Sequence, residues 1–586
     1  MKLRLLLCAA LLLAALPHAA FPQATSIEYI LTIKNPLSHL YEVEMQISGI
    51  RSNSIDVAMP AWSPGVYAIR DFAGNVQEFE SVTRQNRALQ FQKVDKQTWR
   101  ISKAESDDLL VRYRVYSTSL NDEMADITPA TVFMYVVGQT QLPVGVRYEV
   151  DNAWRVHSPL EKRGDRYMAT DYDTLASSPT FIGPFKVLEF KSGSVPYKVV
   201  ISNSRTQMTE LQVEADLMDL ADAAAAMFGT VPFKDYTFFV KVQSTSGSIS
   251  VGYLNSTRLT AGENDFVAQN SYTAFLSAAA QGLSKAWYRR AARPRSMAPY
   301  DFSREAYSRN FWFVEGVSAY SADRLLLRSK ILNSVEYFQK ASAEVDALQH
   351  QAGRLVTSLE DASWNAWIRS DNAINASVGY ILKGKVAGLL LDAEIRGHSA
   401  GAKSLDDVLR SMLAAAETKP ASLNDNALEA AIQSASGVNV QEFFENVVRG
   451  RSEIDYKRYL QQLGISSTIQ KLPATIFLGI EFERIEGNLA RIRRVVPGSP
   501  AETAKLDGGD VLIAMDSERI TFDNVLSRIH SRPLGRPVNL SVMRGERLLA
   551  LTITPGTAQT ETWSVGEAST TTAEQLRLRN AWKGSN

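Results

Sequence analysis

The stretch AAAQGLSKAWYRRAARP, residues 278–294, lies within a predicted buried helix and carries two polar residues where apolar ones are expected. Apolar side chains recur with a period of 3.6 residues from Tyr272 to Trp287, which predicts an amphipathic or buried helix. Gln281 and Lys285 lie four residues apart, so they share one face of that helix. Burying unpartnered polar groups costs free energy. We therefore take this face as the candidate functional site.

The sequence around this helix predicts a multidomain α+β protein. The helical pattern continues from about residue 265 to 465, whereas short alternating and β-branched runs dominate residues 25–195 and 473–556. The predicted organisation is a signal peptide, an N-terminal all-β domain, a mainly helical domain, a second β module and a tail with a short C-terminal helix. These five segments cover residues 1–24, 25–195, 196–465, 466–557 and 558–586.

Composition excludes some classes of protein. The 586 residues include 63 Lys and Arg and 63 Asp and Glu, which gives a formal net charge of zero. A nucleic-acid binder or a polybasic membrane binder is therefore not expected.

The N-terminus has the pattern of an export signal. Lys2 and Arg4 precede an apolar run from Leu5 to Leu16, and small residues follow in PHAAFPQA. Cleavage is expected near residue 20 or 24. An uncleaved anchor is the alternative, although twelve apolar residues are few for a membrane-spanning helix. No later segment is expected to span a bilayer, so we predict a secreted protein, with the periplasm as its compartment and no stable membrane insertion.

The spacing of Gln281 and Lys285 is that of the zinc-peptidase motif H-E-x-x-H. In that motif the two histidines bind zinc and the glutamate activates the metal-bound water. Here Gly282 stands at the glutamate position, and Glu315 in WFVEG follows thirty residues after Lys285.

Several further segments resemble the glycyl aminopeptidase family, the PDZ-containing relatives of thermolysin-type zinc peptidases. The segments that carry the resemblance are MPAWSPGVYAIRDFAGNVQEF (59–79), DYDTLASSPTFIG (171–183), Trp287 with Arg293 and Pro294, WFVEGVSAY (312–320), YILKGKVAGLLLD (380–392) and AEQLRLRNAW (573–582). The resemblance implies a thermolysin-like peptidase domain in residues 196–465, a PDZ domain in residues 466–557, a zinc cofactor and a third zinc ligand at Glu315.

The departures from the family pattern fall at positions that the resemblance assigns to one active site. Gln281 and Lys285 replace the two histidines, and Gly282 replaces the catalytic glutamate. In the segment that resembles the family's substrate-binding G-G-L-E-H, Gly252 and Tyr253 replace the last two residues. Tyr380 and Ile381 stand where the family has paired tyrosines. These departures therefore predict a remnant site with no catalytic residue and no bound zinc, although the family has both.

We expect Lys285 to form an ion pair with Glu315, because its ammonium can partly replace the charge of the missing metal. Gln281 is expected to hydrogen-bond nearby. The predicted function is then a non-catalytic member of a metallopeptidase family that binds peptides or protein termini. Three alternatives remain open: an active aminopeptidase with rearranged metal ligands, an enzyme with unrelated chemistry, and a structural partner in a membrane or envelope complex. The five histidines outside the leader are not paired at ligand spacing.

The second β module is predicted to bind peptide C-termini. Phe477, Leu478, Gly479 and Ile480 resemble the loop whose backbone N–H groups capture a terminal carboxylate in PDZ domains, beside a strand edge that accepts the peptide. A PDZ fold that serves only as a brace between domains is the alternative.

Overall fold

The computed structural model of the protein describes residues 25–105, 107–202, 209–245, 247–370, 372–418, 423–558 and 561–584. The predicted signal peptide, residues 1–24, lies outside these described residues. The chain divides into two compact units. The first comprises the chain up to Ser466 together with the chain from Gly566 onward, and the second comprises Ser467–Val565.

The N-terminal part of the first unit is built from β-sheets, as its alternating sequence predicts. Its strands are β1 Ser26–Thr32, β2 Leu40–Ser48, β3 Ser54–Ala58, β4 Val76–Thr83, β5 Phe91–Lys93, β6 Thr98–Ser102, β7 Leu109–Tyr116, β8 Ala125–Ile127, β9 Tyr135–Val136, β10 Val144–Glu149, β11 Arg155–His157, β12 Glu161–Arg163, β13 Arg166–Ala169 and β14 Thr180–Gly183. They form a seven-stranded sheet in the order β12-β13-β10-β1-β2-β7-β4, with sheets of four (β5-β6-β3-β9) and three (β11-β14-β8) strands. In β2, Tyr41, Val43, Met45 and Ile47 alternate into the core.

A mixed five-stranded sheet follows, in the order β15-β16-β17-β19-β18. Its strands are β15 Lys186–Ser192, β16 Val195–Ile201, β17 Tyr236–Gln243, β18 Ile249–Gly252 and β19 Ser256–Gly262. β16, β17 and β19 run parallel, while β15 and β18 are antiparallel edge strands. β18 ends at Gly252, which places this residue against the helix that contains Gln281 and Lys285.

Helices make up most of the rest of the first unit. They are α1 Tyr172–Ala176, α2 Glu210–Phe228, α3 Gln269–Ala291, α4 Ser318–Arg328, α5 Ser334–Gln349, α6 Leu359–Trp364, α7 Ala373–Ala376, α8 Tyr380–His398, α9 Leu405–Thr418, α10 Leu428–Ser436, α11 Gln441–Phe443 and α12 Tyr456–Leu460. The period read from the sequence is confirmed in α3, where Phe275, Leu283 and Trp287 are fully buried. Gly229 ends α2 with a φ of 78°, as expected for a glycine at a helix C-terminus.

A π-helical turn, Trp312–Val317, precedes α4, within the segment for which the sequence predicted a helical pattern. The backbone of α8 approaches this turn so closely that a Cβ on Gly316 would lie 2.8 Å from the Cα of Gly384. Two glycines in contact therefore allow the turn and α8 to pack directly. This packing fixes the position of Glu315, which lies in the turn.

We expected no segment after the leader to be long and apolar enough to span a bilayer, and this expectation is wrong. One stretch of the described chain, Ala373–His398, is long and apolar enough to do so. Every residue from Lys383 to Arg396 is buried within the protein, because α8 packs against the turn before α4 and against α4 itself. Its apolar character is therefore accounted for by its place in the core.

The second unit has the order of strands and helices of a small β domain around its own core. Its elements are β20 Ile465–Lys471, β21 Thr475–Phe477, β22 Ile480–Ile485, β23 Leu489–Val495, α13 Pro500–Thr503, β24 Val511–Met515, β25 Glu518–Arg519, α14 Val525–His530, β26 Val538–Arg544, β27 Arg547–Ile553, β28 Gly556–Ala558 and β29 Glu561–Glu567. The first two residues of β20 and the last two residues of β29 belong to the first unit. β22 is an edge strand of the sheet β22-β23-β24-β26-β27.

The C-terminal helix, α15 Ala573–Lys583, packs into the first unit. Trp582 is fully buried, and its indole N–H donates a hydrogen bond of 2.8 Å to the hydroxyl of Tyr320 in α4. The carbonyl of Trp582 accepts a hydrogen bond of 3.0 Å from the buried guanidinium of Arg324. The tail helix is thus part of the same core as α4.

Candidate functional site

Glu315 lies at the centre of a buried cluster of charges. The π-helical turn directs its side chain toward α3, and only 3% of the residue is exposed. The Nζ of Lys285 lies 2.8 Å from Oε2 of Glu315, with 13% of the lysine side chain exposed. The predicted ion pair between Lys285 and Glu315 is therefore present.

Two further residues bind the same carboxylate, and neither was predicted from the sequence. Arg289, one turn after Lys285 on α3, donates from Nη2 to Oε1 of Glu315 at 3.0 Å and from Nη1 to the carbonyl of Gly252 at 2.5 Å. Tyr67, from the N-terminal sheet domain, donates its hydroxyl to Oε1 at 2.7 Å. The i+4 spacing from Lys285 to Arg289 could have indicated Arg289, whereas no local pattern points to Tyr67.

These contacts stabilise the ionised form of Glu315. Burial alone would raise the pKa of this carboxyl group, but the charges of Lys285 and Arg289 outweigh burial, and the pKa falls to about 2. Burial and the neighbouring Glu315 carboxylate raise the pKa of Tyr67 well above its usual value, so Tyr67 remains a hydrogen-bond donor. The cluster therefore contains one carboxylate and two cations, with a net charge of +1.

Gly282 and Gly252 lie where α3 meets the end of β18. A Cβ on Gly252 would lie 2.4 Å from the carbonyl oxygen of Gly282. A Cβ on Gly282 would lie 2.2 Å from Cγ2 of Thr257. The hydroxyl of Tyr236 donates a hydrogen bond of 3.2 Å to the Gly282 carbonyl, the same oxygen that Gly252 approaches. The helix and the sheet therefore leave no space for a side chain at either glycine.

The donors at this site do not fit a zinc ion. Of the family's three ligand positions, Lys285 carries a cation that repels a metal and Gln281 carries an amide. The expected hydrogen bond of Gln281 is not found: its side chain is half-buried and makes no hydrogen bond to any residue in the part of the chain that the structure describes. Within the same residues, no group of three or more His, Cys, Asp or Glu side chains could hold a metal ion.

The structure brings Tyr253 and Tyr380 toward the cluster but not Ile381. Burial raises the pKa of Tyr253 to about 12, with smaller opposing effects from Arg258 and Arg289. Burial, followed by the charge of Glu315, also raises the pKa of Tyr380. Ile381 is 44% exposed.

The predicted carboxylate-binding loop lies between β21 and β22. Phe477 ends β21, Leu478 is buried, Gly479 has a φ of 79° and Ile480 begins β22. A Cβ on Gly479 would lie 2.1 Å from Cβ of Ser499, so the turn requires glycine. Among the described residues, the amides of Leu478 and Gly479 donate no hydrogen bond. Two N–H groups are thus available at the start of an edge strand.

Comparison with known protein families gives three matches in chain order. Residues 28–184 match the Peptidase M61 N-terminal domain, residues 274–387 match the M61 glycyl aminopeptidase domain, and residues 477–554 match the PDZ domain.

Among solved structures, the chain is similar to an aminopeptidase N family protein from Idiomarina loihiensis, with 22% identity, a TM-score of 0.84 and coverage of 95% of this chain and 99% of that chain. This likeness shows the fold. Yeast LTA4 hydrolase in complex with bestatin aligns with 12% identity, a TM-score of 0.48 and coverage of 78% and 74%.

A curated relative, the putative serine protease HhoA of Synechocystis sp., is 40% identical over 63 residues, or 11% of this chain. The match spans only 16% of that relative's length. The matched domains and the shared fold lead to one conclusion: the chain belongs to the M61 glycyl aminopeptidase family and has an M61 N-terminal domain, an M61 peptidase-type domain and a PDZ domain.

Proposed function

We propose that this protein is an exported, non-catalytic member of the M61 family that binds peptides or protein C-termini. The observation that carries the proposal is the contact of Glu315 with Lys285, Arg289 and Tyr67. Glu315 is the only one of the family's three zinc-ligand positions that keeps a ligating side chain. Its two carboxylate oxygens are already bound by groups of this chain.

Electrostatics supports the absence of zinc. Two unit charges 4 Å apart interact with about 4 kcal/mol at an effective dielectric constant of 20, and a divalent ion doubles this energy. A zinc ion beside Glu315 would meet that repulsion from both Lys285 and Arg289. The single carboxylate is already neutralised by Lys285, so it offers little attraction in return.

The packing of Gly282 supports the absence of hydrolysis. A zinc peptidase needs a general base beside the metal-bound water. Glycine offers none, and the 2.2 Å approach of Thr257 leaves no space for a glutamate at this position without movement of the backbone. The site thus has no general base, and its packing leaves no space for one at position 282.

The PDZ domain supports a binding function. PDZ domains capture extended peptides along a strand edge, with backbone N–H groups on the terminal carboxylate. The free edge of β22 and the amides of Leu478 and Gly479 supply both elements within the second unit. A brace between domains would need neither of them.

One experiment decides between this proposal and an active enzyme with rearranged ligands. The mature protein is purified without chelators, its metal content is measured, and hydrolysis of aminoacyl substrates is followed with and without added zinc. We expect less than a tenth of an equivalent of zinc and no hydrolysis above buffer. Stoichiometric zinc, or hydrolysis that a chelator abolishes, would reject the proposal.

Export is tested separately. The charged start and the apolar run from Leu5 to Leu16 support cleavage of a signal peptide and a periplasmic location. N-terminal sequencing of the exported protein is expected to begin near Phe21 or Thr25. Recovery of intact Met1 from a cytoplasmic fraction would contradict this assignment.

A further inference from the structure

A small inner cavity lies beside the Glu315 cluster and next to a larger outer one. The two cavities are adjacent, because five residues line both of them: Arg289, Arg293, Tyr300, Ser177 and Leu254. The inner cavity has a volume of about 30 Å³ and the outer one of about 760 Å³. A water needs roughly 10–15 Å³ on this measure, so the inner cavity has room for two oxygen-sized groups.

The polar groups of the inner cavity are hydrogen-bond donors. Arg289 and Arg293 bring two guanidinium groups, and the lining includes no acidic side chain. Tyr253 is 3% exposed, yet its hydroxyl makes no hydrogen bond within the described part of the chain. A hydroxyl without a partner and two guanidiniums that line the same cavity fit an acceptor group that is supplied from outside the chain.

The arginines retain N–H groups for such an acceptor. Arg293 donates one hydrogen bond, from Nη2 to Oδ2 of Asp173 at 3.0 Å, and its guanidinium lies 4.3 Å above the ring of Tyr300. A guanidinium has five N–H groups arranged to match a carboxylate. Arg289 uses two of its five, on Glu315 and on the carbonyl of Gly252.

The outer cavity carries charges of both signs. Arg289, Arg290 and Arg293 face Asp171, Asp173 and Glu417 there. We therefore expect the inner cavity, which acidic side chains do not line, to select for an anion. The outer cavity has the volume and the acceptors to receive the amide N–H groups and side chain of a ligand whose anionic end lies inside.

We infer that the inner cavity binds the carboxylate of an organic acid, such as the C-terminal carboxylate of a peptide, with Tyr253 and Arg293 as its donors. This inference rests on the proposed loss of hydrolysis, and it assigns to the peptidase-type domain a carboxylate site separate from the PDZ loop. The site would favour an anionic end of the ligand, because the family's substrate-binding glutamate is Gly252 and its metal is replaced by two cations.

The test is a titration of the full mature chain with matched small probes, followed by calorimetry. The probes are N-acetylphenylalanine, its neutral amide and the peptide Ala-Ala-Phe. We expect both carboxylates to bind at least fivefold more tightly than the amide. If only Ala-Ala-Phe binds, the source is a peptide end; if N-acetylphenylalanine binds equally well, a free acid suffices. Equal binding of acid and amide, or no binding of either acid, would overturn the inference.

Variants locate the binding. Tyr253→Phe removes one oxygen atom and is expected to weaken carboxylate binding at least fivefold without changing the melting temperature, and Arg293→Gln is expected to abolish the preference for acid over amide. Tyr116→Phe, at a 39% exposed tyrosine, is the matched control and should bind like the unmodified chain. Unchanged binding in both site variants would place the ligand elsewhere, for example on the PDZ loop. Zinc content and hydrolysis test the proposed function independently of all these outcomes.

Discussion

The Nζ of Lys285 lies 2.8 Å from Oε2 of Glu315, and both side chains are largely buried. A buried ion pair of this kind contributes little compared with a well-packed apolar pair, but the loss of one partner leaves an uncompensated charge. Arg289 and Tyr67 bind the other oxygen of Glu315. The cluster therefore connects α3, the turn before α4 and the N-terminal domain.

Replacement of Lys285 should therefore destabilise the fold. We expect Lys285→Ala to lower the free energy of unfolding by about 3 kcal/mol, because Glu315 would lose one of its two cations in a buried place. The matched control is Lys96→Ala, which removes an ion pair with Asp71 in which both partners are more than 60% exposed. That loss should be much smaller. Chemical denaturation measures both, and equal effects would contradict the assignment.

The stability of the cluster should depend on pH in a defined direction. The pKa of Glu315 is lowered to about 2 in the folded protein, below the value of about 4.3 in an unfolded chain. Its ionisation therefore stabilises the fold above about pH 4 and ceases to do so as the pH falls toward 2. We expect the stability difference between the unmodified chain and Glu315→Gln to shrink from pH 5 to pH 2. A constant difference over that range would show that Glu315 does not titrate as described.

The sequence predicted the parts of this site that a local pattern encodes. The helical period placed Gln281 and Lys285 on one face, and the family resemblance supplied Glu315. Contacts between distant segments could not be predicted from a local pattern: Tyr67 and Glu315 are 248 residues apart in the chain. The π-helical turn also escaped prediction: its packing depends on the close approach of Gly316 to Gly384 of α8, a contact between segments that are distant in the sequence.

The C-terminal helix could be predicted from the sequence, but its contacts with the rest of the first unit could not. The pattern AEQLRLRNAW predicted a helix, but burial of Trp582 among Tyr320, Tyr337 and Phe338 depends on tertiary packing. We expect Trp582→Ala to cost about 3–5 kcal/mol of unfolding free energy, since it removes a fully buried aromatic side chain. Leu576→Ala, at a 43% exposed position of the same helix, is the control. A loss no larger than that of the control would mean that the helix docks weakly.

The PDZ domain should distinguish free from blocked peptide ends. If the amides of Leu478 and Gly479 bind a terminal carboxylate, peptides with free C-termini should bind with dissociation constants of about micromolar order. Their amidated forms should bind at least tenfold more weakly, because they lack the anionic acceptor. Fluorescence anisotropy with labelled peptide pairs measures the difference. Equal binding of the two forms would favour the brace between domains.

The contact between Gly282 and Thr257 leaves no space for a side chain at position 282. Alanine normally stabilises a helix interior relative to glycine by about 1 kcal/mol. Here the added Cβ would lie 2.2 Å from Cγ2 of Thr257 and 2.4 Å from its Oγ1, so the sign should reverse and Gly282→Ala should destabilise the fold by about 1–3 kcal/mol. Thr257→Ala removes the two closest of the clashing atoms and leaves its Cβ at 2.9 Å, although it also removes the hydrogen bond between Thr257 and Tyr236. In a double-mutant cycle, the two substitutions together should therefore cost less than the sum of their separate effects. Additive losses would mean that the backbone can open at this point, and that a glutamate at position 282 could be accommodated after all.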